Sequence, residues 1–559
     1  MDSKETEAHC GNDVERAWRF WETGGRFQKM VFFFFCLSMV PNGFVLVIIF
    51  VSATPNHQCS IPAVNLTQEW LRAIIPVEVV DGLEQSSRCS RYRLDLVLNL
   101  SSQGFAPGDV NLPDLPQEPC VDGWSYSRDV YQSTIVSQFD LVCSDQWKQP
   151  LTTTVHYLGV LVGSFVLGQV SDRFGRKPVF FSSMFLQSVF MFVQVFSTSW
   201  SMFTICWFLS GFGNISNYVS AFILGAEILS GKIRVLFLTL GVGLGFAIGY
   251  SMLPLFAFFL RDWTHLQMAM ALPSLLFLPF WWVIPESPRW LLSQGRVDEA
   301  EAIVKRAAKM NKVKPPLVVF ENYRAEDPKA RQEKHHTVLD LFRTRNIRAA
   351  TVILCLLWLS MSAGYYGVTL NSANLVPDPY LGCFIAAVVE IPAYVSSWLA
   401  LGRVRRRLCT VSAMLLGGVS LLLLPAVPRS LRWLSVTMEM IGKFSFAAST
   451  NILFAFTAEV FPTVLRNTAT GICSTSARVG TCLAPFILQL GLFSKFLPPV
   501  ILGSLSAVSA IGAFFLPETF RRPLPETIDD MQQGKRIHCH CLVRKEKTQT
   551  EKVLMESKF

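Results

Sequence analysis

The residue best suited to bind a charged ligand is an arginine in the middle of an apolar stretch. Arg478 lies within the segment 468–492, which is long enough to cross a bilayer. A cation at the bilayer centre costs roughly 2.5–3.5 kcal/mol on insertion scales, so it normally lines a pathway or contacts a ligand. A guanidinium matches a carboxylate through two parallel hydrogen bonds. We predict that Arg478 binds a negatively charged group of a transported solute, and permanent pairing with a buried glutamate is the structural alternative.

The elements that position this arginine are predicted to be membrane-spanning helices. The chain has 559 residues, of which 51% are hydrophobic and 16% charged, whereas soluble domains carry about 25% charged residues. Since a spanning helix needs roughly 20 apolar residues, we predict an all-α integral membrane protein with twelve transmembrane helices. These lie near residues 30–52, 150–170, 178–198, 201–224, 236–260, 263–284, 347–371, 380–401, 408–427, 433–456, 468–492 and 497–517.

Basic residues predict the orientation of these helices, because cytoplasmic loops attract Lys and Arg. The basic loops follow the second, fourth, sixth and eighth spans, and all fall on one side of the membrane. We therefore expect both termini in the cytoplasm. The expected order is a cytoplasmic segment 1–29, a six-helix bundle 30–284 that includes an extracellular loop 53–148, an intracellular linker 285–346 with short helices, a six-helix bundle 347–517 and a cytoplasmic tail 518–559.

The long loop between the first two spans is predicted to be a small disulfide-stapled domain. It contains Cys59, Cys89, Cys120 and Cys143, and an oxidising exterior favours disulfides. Four cysteines allow three pairings, and the sequence does not select one. Two glycosylation sequons begin at Asn65 and Asn99 in the same loop, in agreement with its external position.

The two six-helix halves carry matching charged motifs, which indicate a duplicated unit. An arginine-rich turn follows the second span of each half, and Pro-Glu follows each sixth span, at Pro285 and Pro517. Each fourth span ends with a glutamate seven residues before an arginine. Parallel repeats of this kind form transporters whose halves rock around a central site. We predict a gating network on the cytoplasmic side, in which Glu227 pairs with Arg234 and Glu459 with Arg466, and simple anchoring by positive charge is the alternative. The network residues are Asp172, Arg173, Arg176, Lys177, Glu227, Arg234, Glu459 and Arg466.

The motifs resemble those of a known superfamily. The turn 172–177 (DRFGRK) is similar to the loop motif of the major facilitator superfamily, and the segment 285–290 (PESPRW) is similar to its organic ion transporter branch. Further stretches resemble the organic cation/carnitine transporters, at residues 40–44, 120–124, 215–218, 390–394 and 475–478. This resemblance covers about residues 26–530. It implies the major facilitator fold and sodium-coupled uptake of carnitine, or of a betaine such as ergothioneine, across the plasma membrane.

The resemblance also implies where the solute binds. The onium end of a betaine cannot donate an N–H hydrogen bond, so aromatic faces are its natural partners. Glu390 could also face the ammonium and is a candidate for either a substrate-binding or a gating role. For each aromatic residue, packing between helices is the alternative. The predicted substrate-binding residues are Arg478, Tyr218, Asn217, Tyr365, Tyr366, Trp358, Tyr394 and Glu390.

Amide side chains are the predicted ligands of the coupling sodium ion. Pro41 weakens the first helix and frees carbonyl groups beside Asn42. Asn42 and Asn217 resemble family positions associated with the cation. Gln187 and Asn214 are two further candidate sodium ligands. Asn214 occupies a position where the family usually has glutamine, which puts sodium dependence itself in question. Hydrogen bonding between helices is the alternative role for all four amides.

The remaining expectations concern alternatives and partners. An organic anion or organic cation transporter that works without sodium is the main alternative, and a receptor that signals without transport is another. We expect no enzyme activity, no cofactor apart from the coupling sodium ion, and no nucleic-acid partner, because the basic residues form no continuous face. The segment Ser557–Phe559 predicts binding to a PDZ groove.

Overall fold

The computed structural model describes residues 25–64, 66–80, 83–312, 340–428 and 430–520. The Asn65 sequon, most of the predicted N-terminal segment, much of the linker and the tail with Ser557 and Phe559 lie outside the described residues. Within them the chain forms two groups of six long helical segments, which we label α1–α12. They are Arg26–Val51, Lys148–Phe174, Arg176–Val193, Trp200–Ile228, Ile233–Phe259 and Trp263–Leu276, followed by Arg345–Asn371, Pro379–Arg403, Arg406–Leu422, Arg432–Val460, Thr463–Gln489 and Leu497–Ala513.

Eight of these segments are long and apolar enough to cross a membrane by length and composition, namely α1, α2, α3, α5, α7, α8, α9 and α11. The helices α4, α6, α10 and α12 complete the two groups of six. The predicted spans and the observed helices agree along the chain, although α1 already begins at Arg26, inside the predicted N-terminal segment.

Helix α1 is irregular in its second half, as the position of Pro41 predicts. Its regular part ends at Ser38, and the chain continues through a short helix Val40–Gly43 and a 3-10 turn Phe44–Val47 before Ile48–Val51. Proline removes one backbone donor and clashes with the preceding turn. The break places Asn42 at the level where the backbone hydrogen-bond pattern changes.

The loop between α1 and α2 contains three two-stranded antiparallel sheets. Strand β1 (His57–Cys59) pairs with β6 (Trp124–Tyr126), β2 (Val77–Val80) with β3 (Leu83–Ser86), and β4 (Ser90–Tyr92) with β5 (Gln117–Pro119). Two short helices, Gln68–Ala73 and Leu94–Ser102, complete the domain. Its small core buries Trp70, Tyr92 and Val97.

Two disulfides close this loop domain. They join Cys59 to Cys120 and Cys89 to Cys143, which selects one of the three pairings that the sequence allows. Asn99 is exposed on the helix Leu94–Ser102, so its sequon stays accessible. We call the end of the bundle that carries this domain the loop side, and the opposite end, which carries the arginine-rich turns, the basic side.

The linker begins with two helices, Pro288–Ser293 and Val297–Asn311. Both lie in the linker 285–346, for which the sequence predicts short helices. Asn311 accepts a hydrogen bond from the Phe27 amide at 3.0 Å, so the linker packs against the start of α1. A third short helix, Asp340–Arg343, precedes α7.

The two halves meet through two helix pairs, α2 with α11 and α5 with α8. Close packing inside each half relies on glycine. A Cβ atom added at Gly159 of α2 would lie 2.1 Å from the Phe208 carbonyl oxygen of α4, whereas one added at Gly168 of the same helix would meet no atom within 4 Å. The helices α2 and α4 therefore approach each other at a distance that only glycine permits at residue 159.

The substitution Gly159→Ala tests this contact. Alanine favours a helix by about 1 kcal/mol over glycine, but overpacking costs typically 1–3 kcal/mol. We expect Gly159→Ala to lower the melting temperature of the purified protein in detergent, and the matched control Gly168→Ala to leave it unchanged or raise it. Equal melting temperatures for the two variants would contradict the close α2–α4 contact.

Candidate functional site

Arg478 lies on α11, at the seam where this helix packs against α2 of the other half. The residue is half-buried, and its Nε atom is buried without a hydrogen-bond partner. Among the described residues, no carboxylate oxygen lies within 4.0 Å of its guanidinium. The hydroxyls of Tyr218 and Tyr366 lie within its electrostatic reach. The structure therefore shows Arg478 without the fixed glutamate partner that the alternative interpretation requires.

The buried glutamate of this region is paired with a lysine instead. The Glu390 carboxylate lies 2.6 Å from the Lys443 ammonium, and both side chains are 0% exposed. The hydroxyls of Tyr365 and Tyr394 donate to the same carboxylate at 2.6 Å and 3.3 Å, and Lys443 donates to Thr369. A buried ion pair is stable only when further hydrogen bonds satisfy its remaining groups. The charge of Glu390 is thus compensated within the second half.

Lys443 also contacts aromatic rings from both halves. Its ammonium lies 3.7 Å from the ring centroid of Tyr365 and 5.4 Å from that of Tyr250, which belongs to α5 of the first half. A cation over an aromatic face is stabilised by the ring quadrupole. The ion pair in the second half therefore has a direct contact across the seam.

Tyrosine rings connect this ion pair to the surroundings of Arg478. Tyr365 and Tyr366 meet edge to face at 5.1 Å, and Tyr366 meets Tyr157 of α2 in the same way at 5.1 Å. Tyr218 is half-buried on α4. Aromatic rings from α2 and α7 thus lie near Arg478.

Trp358 has a different environment from the other predicted aromatic residues. Its indole N–H donates to Thr457 at 3.0 Å, and its ring packs edge-on against Phe454. The side chain is 2% exposed in the core of the second half. Its polar group is already satisfied, so the structure corresponds to the packing alternative for this residue.

Three of the four predicted amide ligands form one cluster. The side-chain amides of Asn214 and Asn217 both donate to the Asn42 oxygen, at 3.2 Å and 3.3 Å. The side-chain oxygens of Asn217 and Gln187 are buried and accept no hydrogen bond. Gln187 lies on α3, whose backbone at this residue lies close to Gly213 of α4, one residue before Asn214. The cluster therefore joins α1 and α4. Among the described residues, the buried oxygens of Asn217 in the cluster and of Gln187 on α3 have no donor.

A cavity of about 880 Å³ opens between the halves on the loop side. Its walls come from the ends of α1, α2 and α7–α12 and from the loop domain, and they include Thr153, Gly367, Glu439 and Pro485. Gly367 directly follows Tyr366, and Pro485 follows Arg478 by two helical turns along α11. The cavity therefore ends next to the Tyr157–Tyr366 contact, and Arg478 lies farther along the same seam.

The basic side is closed by contacts between the halves. Asn451 of α10 donates to the Thr239 carbonyl of α5 at 2.8 Å, and the rings of Phe222 and Phe454 lie 6.1 Å apart across the seam. These residues are not predictable from the sequence, since an asparagine and a phenylalanine inside apolar helices give no distinctive signal. The structure is accordingly open towards the loop side and sealed on the basic side.

The arginine-rich turn of the first half is organised around Glu286. Its carboxylate accepts hydrogen bonds from the backbone amides of Arg176 and Lys177, at 3.1 Å and 3.2 Å, at the start of α3. A carboxylate at a helix N-terminus is favoured by the helix dipole. Burial raises the pKa of the Glu286 carboxyl, and these amide hydrogen bonds oppose that shift. Gly175 has a φ of 109°, and an added Cβ there would lie 2.6 Å from Glu286.

The predicted glutamate–arginine pairs have other partners in the structure. Glu227 lies 3.7 Å from Arg176, which also binds Asp172 at 2.6 Å, rather than pairing with Arg234. Glu459 binds Arg406 at 3.0 Å rather than Arg466, whose Nε and Nη2 atoms are buried without a hydrogen-bond partner in the described structure.

The reason for this difference is spatial. The two arginine-rich turns reach back to the glutamate at the end of the fourth helix in each half, and sequence proximity did not reveal this. Arg173 and Lys177, which also belong to the predicted network, have aromatic neighbours. Arg173 lies over the ring of Phe174, and Lys177 lies over the ring of Trp281.

A double-mutant cycle distinguishes the two partners of Glu459. Neighbouring charged groups in one network show coupling energies of 0.5–3 kcal/mol. We expect coupling of about this size between Glu459→Gln and Arg406→Gln, measured as the free energy of unfolding in denaturant. The cycle of Glu459→Gln with Arg466→Gln serves as the matched control and should give a smaller value. Stronger coupling to Arg466 would contradict the observed pairing.

Comparisons with known proteins agree with this architecture. Residues 123–531 match the profile of the "Sugar (and other) transporter" family. The "Organic cation/carnitine transporter 2" of Rattus norvegicus is 47% identical over 528 residues, covering 94% of this chain and 95% of that protein. "Solute carrier family 22 member 4" of Mus musculus is 46% identical over 530 residues, covering 94% and 96%. The inward-open xylose transporter XylE from E. coli has the same fold, with a TM-score of 0.58 at 15% identity, covering 89% of this chain and 98% of that chain.

Proposed function

The chain belongs to the major facilitator superfamily of membrane transporters, next to the organic cation/carnitine transporters, and we propose that it takes up a small zwitterionic onium compound together with sodium. It is a multi-pass membrane transporter of small organic solutes and not an enzyme. Carnitine is the first compound to test, because the name of its relative in Rattus norvegicus includes that solute. Ergothioneine is a second betaine of the same class.

The unpaired guanidinium of Arg478 is the observation that carries this proposal. A buried donor without a partner costs free energy, and a carboxylate of the solute would satisfy it through charge-assisted hydrogen bonds. The residue lies on the seam between the halves, where both halves can contact one ligand. A solute without an acidic group would leave this donor unsatisfied.

The onium end of the solute is assigned to the tyrosine faces near Arg478. Lys443 neutralises Glu390, so this carboxylate is not free to bind the cation in the observed state. The faces of Tyr218 and Tyr366 remain as partners, and each cation–π contact contributes ~0.5–2 kcal/mol. The tyrosine rings and the Arg478 guanidinium together would select solutes that carry both a positive and a negative charge.

Sodium is proposed as the co-transported ion at the amide cluster. The buried side-chain oxygens of Asn217 and Gln187 accept no hydrogen bond, and oxygen is the ligand that a sodium ion requires. The Asn42 oxygen accepts hydrogen bonds from the amides of Asn214 and Asn217 in the observed arrangement. These two amides would have to rotate for the oxygens of Asn42, Asn214 and Asn217 to face the ion. Because Tyr218 directly follows Asn217, an ion at this position would also influence the solute site.

Transport would follow from rocking of the two halves around this site. The structure has the cavity on the loop side and closed contacts on the basic side, which corresponds to an outward-facing state if the loop domain is extracellular. Inward opening would break the hydrogen bond between Asn451 and Thr239. It would also move the ion pairs of Arg176, in the first half, away from the ion pair of Arg406, in the second half. We place the protein in the plasma membrane with both termini in the cytoplasm.

A sodium-replacement experiment tests the transport mode. We expect cells that express the protein to take up labelled carnitine. The uptake rate should fall severalfold when N-methylglucamine replaces sodium in the medium. Uptake of an aromatic carboxylic acid serves as the comparison. Sodium-insensitive uptake of the aromatic acid without carnitine uptake would favour the organic anion alternative, which Arg478 would also serve.

The substitution Arg478→Lys tests the carboxylate contact. Lysine keeps the charge but loses the planar fork of donors, and a hydrogen bond to a charged group contributes about 1.5–3 kcal/mol. We expect the KM for carnitine to rise by roughly 10-fold or more at unchanged surface expression. The control Arg432→Lys, at the exposed start of α10, should have the wild-type KM. An unchanged KM in Arg478→Lys would assign Arg478 a structural role.

A further inference from the structure

The cavity on the loop side contains a carboxylate that the proposed transport cycle does not use. Glu439 lies on α10, one helical turn before Lys443, and lines the cavity. Its side chain is half-buried, and the observed hydrogen bond to it comes from the Asn371 amide at 3.4 Å. Among the described residues, no basic nitrogen lies within 4.0 Å of this carboxylate. The Glu439 carboxylate thus lies in the cavity wall without an ion pair within 4.0 Å among the described residues.

The nearest lysine along the helix cannot neutralise this charge. Lys443 is committed to Glu390 at 2.6 Å and to Thr369, and these contacts lie in the closed interior of the second half. An ionisable group inside a membrane bundle without a partner is expensive and typically marks a path for solutes or ions. The charged residues of the cavity wall are Asp129, Glu439 and Lys495. Acids thus outnumber bases in this wall, which favours the entry of a positively charged group.

The size and the walls of the cavity suit an onium ion. Its volume of about 880 Å³ lies within the range of small-molecule pockets, about 300–1,000 Å³. Apolar residues such as Leu421, Leu424 and Leu502 line it beside Glu439 and Asn371. A quaternary ammonium is bulky, carries no N–H donor and is compatible with apolar walls, so a single carboxylate and an amide satisfy its needs.

We propose that Glu439 and Asn371 form an outer subsite that binds the onium end of an arriving solute before it reaches Arg478. The subsite rests on the proposed function, since it serves the same zwitterionic solutes. Glu439 repels the carboxylate of such a solute while it holds the ammonium. The solute would therefore pass the Tyr157–Tyr366 contact with its carboxylate leading, which is the orientation that Arg478 requires.

Kinetics of the variant Glu439→Gln test the subsite. Glutamine keeps the size of the side chain and removes the charge. We expect the KM for carnitine to rise 3- to 10-fold, with the maximal rate within twofold of wild type. The dependence of uptake on ionic strength should weaken as well, because an attractive charge in a cleft accelerates the arrival of a cationic group most strongly at low salt.

Two further variants control for indirect effects. Glu439→Asp keeps the charge and should retain a KM close to wild type. Glu69→Gln removes the same charge from an exposed position of the loop domain, outside the cavity, and should change neither the KM nor the salt dependence. A lower maximal rate at unchanged KM in Glu439→Gln would show a structural role and overturn the subsite.

A binding measurement separates failure of the subsite from failure of the proposed function. Tetramethylammonium carries an onium group without a carboxylate, and its binding to the purified protein can be followed by thermal stabilisation. We expect wild type and Arg478→Lys to bind it with equal affinity and Glu439→Gln to bind it at least 3-fold more weakly. Equal affinity of all three proteins would overturn the subsite even if carnitine is transported. Loss in Glu439→Gln alone would support it even if carnitine is not the solute.

Discussion

A charge inside an apolar bundle has to be compensated, and the structure depends on how this requirement is met at each position. Glu390 and Lys443 meet it by a direct pair, completed by two tyrosine hydroxyls and Thr369. Arg478 is not compensated in this way among the described residues, where its Nε atom is buried without a hydrogen-bond partner. Removal of one partner from the first arrangement would leave a buried charge without compensation, at a cost of about 3–5 kcal/mol. The second leaves a strong donor available to a ligand that comes and goes.

The seam between the halves explains why this donor is useful. The contacts of α2 with α11 and of α5 with α8 place Arg478, Tyr157 and Tyr250 where the two halves touch. A solute that binds there contacts surfaces that move relative to each other during rocking. Close glycine contacts, such as Gly159 against Phe208, pack the helices tightly within the first half. Stable halves and a ligand-dependent seam are the physical basis of alternating access.

Much of the fold follows from the sequence, whereas the charge partners do not. The apolar lengths predict the helices, and Pro41 predicts the irregular part of α1. The partners of Glu227 and Glu459 were predicted from sequence proximity, but folded turns bring Arg176 and Arg406 nearer to them. Trp358 shows the same limit, because its satisfying partner Thr457 lies on another helix. The sequence predicts a functional role for Arg478, because an isolated cation in the membrane is costly. It does not predict which side chains surround this residue.

The most direct test of the central claim is an experimental structure of the protein with carnitine bound. We expect the carboxylate of the solute to lie within hydrogen-bond distance, ~3 Å, of the Arg478 guanidinium, while Glu390 stays paired with Lys443. A structure in which Arg478 is bound to Glu390 and the solute lies elsewhere would contradict it.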